Sequence, residues 1–526
     1  MTIKIDDKRK AIRHQIEFIL DNTSGGLQEV IIKTGQSTPE DEQFTKTVAE
    51  ALRKRAMAAS PRDVLPAQNK LLSAGRWTDG TRNAASKRLR NVDMSLSAQI
   101  AWAPVTSSKM QSLRQANLES MRPILQSDVV RKNLHTDRPK GRGRRADPDF
   151  QPRKFWTSSS FLMRFREEDL MKLYQDDLIE NLEGVFPNRR ILVPPAITPK
   201  QVPRPVEDNK VSGWGVRSIG ALGVWGAFGA RGKGVTIGLL DTGVDANHPD
   251  LAGKISAWAE FDAQGNEVVG AKPRDSDKHG THCAGIIVGG NASGRWIGVA
   301  PEAKIAAALV LDGAKGGTDA QVLAGIDWAI EQEVDVINMS LGGLIWGPDV
   351  PTTYTSAILN ALRVGIPVVT AIGNEGSQTS GSPGNDFLAF AVGATDHLNR
   401  AAGFSGGRTQ VIRQSPFFPQ DMLPLVYSKP DLSAPGVAVC SSVPNGDWEY
   451  FNGTSMAAPH VAGAIALLLS STNIRDGVEI GERAFVIQDL LTGSADELGE
   501  AGQDHRFGFG KIDILRAIGF AKDLGY

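Results

Sequence analysis

Three polar residues in this 526-residue chain stand in settings that suit covalent catalysis. Ser455 lies in GlyThrSerMetAla, where small residues make a sharp turn that meets Pro459 and then a long apolar run. The serine is therefore expected where a tight turn enters a helix, exposed, held still and close to the positive end of the helix dipole. His279 lies in AspLysHisGlyThrHisCysAlaGly (277–285), whose glycines and following apolar residues put it at a loop-to-helix boundary. Asp241 closes the run ValThrIleGlyLeuLeuAsp. A carboxylate at the carboxyl end of a buried parallel strand is where open α/β sheets build their sites. Taken singly, each residue has a plainer role, Ser455 as a helix cap and His279 as a structural imidazole. Together they are a nucleophile, a base to take its proton and a carboxylate to orient the base, which is the set that acyl transfer needs.

The surrounding pattern supplies elements to hold them. Strand-like runs at 235–240, 305–311, 334–338, 366–371 and 388–393 alternate with helical runs at 281–289, 319–332 and 354–363, which predicts a parallel sheet with helices on both faces. Upstream, Ile12, Ile16, Ile19 and Leu20 mark an amphipathic helix, and residues 27–33 read as a strand. Thr38 and Pro39 then open a helix with Phe44, Val48 and Leu52 on one face. From Ser159 to Ile191 a strand, a helix over 167–179 and a second strand make a compact α/β unit. Prolines at 194, 195, 199, 203 and 205 have linker composition, so the chain divides into residues 1–205 and 206–526. The stretch 406–429 lacks periodicity and reads as a surface loop.

Composition narrows the function classes. A net charge of -1 carries no global argument for nucleic acid or an anionic membrane. Basic residues are concentrated within 51–145, ending in LysGlyArgGlyArgArg, but without interleaved aromatics that stretch reads as a solvated surface, open to an acidic or activating partner. Two cysteines cannot form a disulfide framework, which agrees with a reducing compartment. Asp6 and Asp7 stand where a secretory signal would be basic, and no apolar run reaches the roughly 20 residues of a membrane span. A cytoplasmic location without membrane contact is the expectation.

All three contexts, in the chain order Asp, His, Ser, resemble the subtilisin family of serine endopeptidases. The resemblance runs over roughly residues 212–520 and includes IleAsnMetSerLeuGlyGly (337–343), AlaIleGlyAsnGluGly (371–376), LysProAspLeuSerAlaProGly (429–436) and GlyPheGlyLysIleAsp (508–513). It implies a three-layer α/β domain with a mainly parallel sheet. It also implies catalysis by Asp241, His279 and Ser455, with Asn374 donating its side-chain amide to the oxyanion beside the Ser455 N–H. Ser340, Leu341 and Gly342 become one wall of a substrate groove, and residues 313–318, with Gly313, Lys315 and Gly316, the opposite edge strand. Lys315 would favour acidic substrate side chains. The family's calcium ligand is matched by Asp250, but Ala292 replaces a usual side-chain amide ligand, so a structural calcium there would be one ligand short. No cofactor is needed for the chemistry and no catalytic metal is expected. Cys283 matches proteinase K-like members, as a small core-filling residue.

The unit at 159–191 is similar to the latter part of a subtilisin-type propeptide, with 27–57 as its earlier part. The resulting expectation is a serine endopeptidase acting on polypeptides and restrained, as a zymogen, by an α+β propeptide-like N-terminal region. Pro194 and Pro195 would slow release of that region. The rival reading is a catalytically silent binding protein that keeps the fold and the groove.

Overall fold

The computed structural model describes residues 5–22, 27–35, 46–48, 50, 107–134, 151–174, 177–192, 211–345, 350–413, 415, 418 and 420–526. The start of the Thr38 helix, most of the basic run, the proline-rich 193–206 stretch and the expected 205/206 boundary lie outside the described residues.

The N-terminal part contains helix α1 (Ile5–Asp21), strand β1 (Leu27–Thr34), helices α2 (Ser107–Ser120) and α3 (Asp128–Leu134), and strands β2 (Arg153–Phe155), β3 (Ser160–Arg166) and β4 (Leu182–Pro187). Its four strands form one sheet in the order β2-β3-β1-β4, antiparallel throughout. Side chains alternate across the pleat, and here both faces are buried. Val30, Ile32, Phe161, Met163, Phe165 and Val185 pack against Ile12, Ile16 and Ile19 of α1 and Val129 and Val130 of α3. Ile31, Leu162 and Phe186 point the other way and join one cluster with residues of the larger unit. Each such buried side chain contributes about 1.5–3 kcal/mol.

The larger unit is built on seven strands, every neighbouring pair parallel: β6 (Thr236–Asp241), β7 (Ile255–Glu260), β8 (Lys304–Leu309), β10 (Val336–Met339), β11 (Val368–Ala371), β12 (Phe390–Thr395) and β13 (Leu432–Pro435). Their order is β13-β12-β11-β10-β6-β8-β7. One face carries α4 (His279–Val288) and α7 (Thr454–Ser471); the other carries α5 (Asp319–Glu331) and α6 (Thr355–Arg363). The N-terminal sheet docks on the α5 and α6 side, where Phe155 and Trp156 share one buried cluster with Ala320, Leu323 and Ala357. Helix α7 is long and apolar enough to cross a membrane, but it is buried from Thr454 to Leu469 and forms the core of this unit.

The predicted strands and helices of this unit appear within a few residues of their expected limits. Three expectations change. Among the described residues of 167–179 there is one short helical turn, Glu167–Leu170, and there are 3₁₀ turns at Met171–Tyr174 and Asp177–Asn181, because that run must bury Leu170, Leu173 and Ile179 within a short span. The expected loop at 406–429 contains a hairpin, Arg408–Ile412 with Leu425–Lys429. It packs Ile412, Leu425 and Tyr427 on the core, and Tyr427 Oη donates to Asn385 O at 2.7 Å. Finally, the expected edge strand at 313–318 is a strand only at β9 (Gly317–Thr318); Gly313–Lys315 is a 3₁₀ turn, closed by Lys315 N donating to Asp312 O at 2.9 Å.

Candidate active site

Asp241 is the last residue of β6 and His279 the first of α4. His279 Nδ1 donates to Asp241 Oδ1 at 2.7 Å, and the same oxygen accepts from Thr242 N at 2.7 Å. The two loops can come this close because residue 280 is glycine: a Cβ there would lie 2.0 Å from Gly243 O. Gly280 N donates to Thr242 Oγ1 at 2.9 Å, and Asp275 ties both loops, accepting from Thr242 Oγ1 at 2.7 Å and Thr281 N at 2.8 Å. Burial opposes a charged imidazole at His279, yet the adjoining Asp241 carboxylate overrides it and holds the imidazole well above its ordinary range. His282, one turn on, differs. Burial depresses it to about 3, its Nε2 donates to Val439 O and Glu449 O, and it stacks on Phe451. It is a neutral structural imidazole.

Ser455 sits in the first turn of α7. Its position depends on Pro459, which has no N–H to offer the carbonyl four residues earlier. Ser455 O is thereby left to accept from Ser340 Oγ at 3.0 Å and Cys283 Sγ at 3.4 Å. The serine was expected to be exposed; it is 2% exposed, because its Oγ turns inward and donates to Ser340 O at 3.1 Å. His279 Nε2 makes no hydrogen bond among the described residues. Cys283 is fully buried, as expected of a core-filling residue, and lies 3.9 Å from His279 Nδ1. Burial pushes its thiol up, so it stays neutral beside the imidazole.

Asn374 follows β11. Its Oδ1 accepts from Thr454 N at 2.8 Å and Thr454 Oγ1 at 2.9 Å, which fixes the amide plane. The amide nitrogen lies beside Gly453, where a Cβ would stand 3.2 Å from Asn374 Nδ2. Asn374 is thus held against the entrance of α7, next to Ser455.

The groove expected between residues 313–318 and 340–342 is filled by the chain itself. Strand β5 (Arg190–Ile191) pairs antiparallel with β9, Arg190 opposite Thr318 and Ile191 opposite Gly317, and Leu192 bridges Gly342 on the other wall. Gly316 is needed at this approach, since a Cβ there would lie 2.3 Å from Ile191 O. Lys315 contributes its carbonyl, which accepts from Arg190 Nε at 2.8 Å. Its ammonium pairs instead with Asp312 at 3.0 Å and is 83% exposed, so the cation is compensated locally. Leu341 is buried in the wall, and Ser340 faces the serine. Gly313 does not reach the groove segment; it packs on Ser276, whose Oγ accepts from Gly313 N at 3.0 Å. Residues 190–191 fall at the end of the second strand expected within 159–191, and they pair here with the groove wall rather than with the N-terminal sheet.

The Asp250 region does not fit a calcium ion. Both carboxylate oxygens already accept N–H donors, Oδ1 from Ala292 N and Oδ2 from Trp448 Nε1, each at 2.7 Å. A hard cation needs oxygens turned toward it, whereas this loop turns an amide N–H inward. His248 completes the cluster, accepting from Asp250 N at 3.1 Å and meeting Trp448 edge to face.

The chain matches the subtilase family, Peptidase S8, over residues 232–510. It is 38% identical over 261 residues to subtilisin NAT of Bacillus subtilis subsp. natto, covering 48% of this chain and 61% of that relative. It is also 38% identical over 266 residues to an intracellular serine protease of Paenibacillus polymyxa, covering 49% and 73%. With subtilisin DY of Bacillus licheniformis the identity is 35% over 296 residues, covering 55% and 93%.

Proposed function

The chain belongs to the subtilase family, and on that premise we propose that it is a serine endopeptidase that cleaves polypeptides through an acyl-enzyme on Ser455. The observation that carries this reading is the junction of three elements, β6, α4 and α7. It sets Asp241 on His279 at 2.7 Å and brackets the imidazole and Ser455 around Cys283. For reaction, Ser455 Oγ turns from Ser340 O to His279 Nε2, a change of side-chain rotamer that also frees the Ser340 carbonyl for a substrate N–H. Oγ attacks the peptide carbonyl as His279 takes its proton. The oxyanion is received by Asn374 Nδ2 and by the Ser455 N–H, which in the first helical turn has no intrahelical acceptor. His279 then passes the proton to the leaving amine, and water repeats the sequence to release the acid. Asp241 holds the imidazole tautomer and stabilises its charge.

We further infer that the N-terminal region restrains this activity. Residues 190–192 pair with both walls of the groove, as a bound peptide would, and run on in sequence to Val193, Pro194 and Pro195. Proline on either side of a peptide bond removes an N–H and fixes φ, which hinders cleavage.

Hydrolysis of a denatured protein substrate by the parent and by Ser455→Ala tests the activity. The variant should fold and be inactive; turnover comparable with the parent, in a preparation cleared of other proteases, contradicts the assignment.

A further inference from the structure

The ladder in the groove extends beyond Arg190. Asp319 N donates to Arg189 O at 3.0 Å, in the register of the pairs Arg190 with Thr318 and Ile191 with Gly317. Arg189 is therefore a third rung. Along this segment the side chains alternate: Arg190 and Leu192 are exposed, whereas Arg189 and Ile191 face the peptidase unit. Ile191 enters an apolar setting. Arg189 enters a polar one. Its Nε donates to Asp319 Oδ2 at 2.8 Å, its Nη2 to Asp319 Oδ1 at 3.1 Å and to Ser382 Oγ at 3.4 Å, and its backbone N to Asp319 Oδ2 at 3.0 Å. Tyr354 Oη also donates to Asp319 Oδ1.

Each partner in this pocket belongs to the peptidase unit and is buried: Asp319 in the first turn of α5, Tyr354 just before α6, and Ser382 beside the groove wall. The carboxylate is presented edge-on to a planar fork of two N–H groups. That geometry matches a guanidinium and cannot be reproduced by the point charge of a lysine. A buried carboxylate that loses its cation is left uncompensated, so any polypeptide that replaces residues 189–192 meets a site that discriminates.

We propose that Asp319, supported by Tyr354 and Ser382, is an arginine-selective subsite of the groove, occupied in this chain by its own Arg189. Substrates are selected for an arginine two residues before the aliphatic residue that takes the place of Ile191. The exposed position between them, where Arg190 lies over Lys315 O, is tolerant. This rests on the endopeptidase reading only in calling the bound polypeptide a substrate; the recognition itself is a binding property.

The test is therefore made on binding, with full-length protein carrying Ser455→Ala and Arg189→Gln, so that the chain's own arginine no longer fills the subsite, and labelled decapeptides that differ only in Arg-x-Ile, Lys-x-Ile or Gln-x-Ile. Fluorescence anisotropy should show the arginine peptide binding about 10-fold or more tighter than the glutamine peptide, with lysine between. Adding Asp319→Asn should bring the arginine-to-glutamine ratio to within about twofold of one. If that variant fails to fold, Ser382→Ala, which removes the second acceptor of the guanidinium, must still lower the ratio. Equal binding of the peptides, including binding of none, or a ratio that survives the substitutions, overturns the proposal. Failure of the Ser455-containing protein to hydrolyse any peptide would count against the peptidase reading and leave this one standing.

Discussion

Ser455 O is the carbonyl that the N–H of residue 459 would normally occupy, and proline at that position hands it to Ser340 Oγ and Cys283 Sγ instead. The proposed nucleophile is thus anchored through its own backbone, while its hydroxyl is held by a single bond to Ser340 O. His279 is fixed from the other side by Asp241, and this coupling gives a pH prediction. Only neutral imidazole can accept the serine proton, and Asp241 raises the His279 pKa above its ordinary value of 6.5. The plot of kcat/KM against pH should rise through an acidic limb centred above 6.5, and Asp241→Asn should move that limb down while slowing the reaction. A limb unmoved by the substitution would mean that another group is titrating. Asn374→Ala should lower kcat by about 100- to 1000-fold with little change in KM; that size is already established for a subtilisin's own oxyanion asparagine and is carried over by homology.

At the scale of elements, α4 and α7 meet the ends of β6 and β11, and glycine decides how closely. Gly280 on Gly243 sets how closely Asp241 and His279 approach, so Gly280→Ala should reduce activity and stability together, as read by kcat/KM and Tm. The Asp250 cluster makes a second prediction. Since its carboxylate is held by Trp448 Nε1 and Ala292 N, Tm should be unchanged by a chelator or by added calcium. Trp448→Phe should cost about 1–3 kcal/mol and a few degrees of Tm, by leaving a buried carboxylate oxygen without its donor. A chelator-induced fall in Tm would show a calcium site that these bonds do not describe. The sequence made the parallel sheet legible because each of its strands is an apolar run between strongly helical stretches. The same reasoning failed at 406–429, where polar Arg408, Gln410 and Lys429 hide a hairpin stitched by side chains, with Gln410 Nε2 donating to Ser380 Oγ at 2.9 Å and Lys429 Nζ to Ala389 O at 2.6 Å. Long-range bonds of that kind leave no local period to read.

For the whole molecule, the N-terminal sheet covers α5 and α6 and threads its last residues through the groove. Ser455, His279, Asp241 and Asn374 could be named as a candidate set because each sits in a short motif, and the fold brings them to one junction. Arg189 and Asp319 were not, because their pairing joins residues 130 apart and neither stands in a pattern of its own. Asp327 of α5 is another such contact, accepting from Trp156 N at 2.9 Å and Thr157 N at 3.0 Å. Asp327→Ala would strand two interfacial N–H groups at about 1–3 kcal/mol each, so the variant should show faster peptide turnover and readier proteolysis of the N-terminal unit than the parent. Unchanged turnover, with the unit demonstrably loosened, would mean that it does not restrain the groove. The central claim, a nucleophilic Ser455 activated by His279, is tested most directly by exposing the full-length protein to a fluorophosphonate probe and mapping the adduct by mass spectrometry. The account predicts one adduct, on Ser455, absent from Ser455→Ala and nearly absent from His279→Ala; a protein that stays unlabelled, or one labelled equally well in both variants, would contradict it.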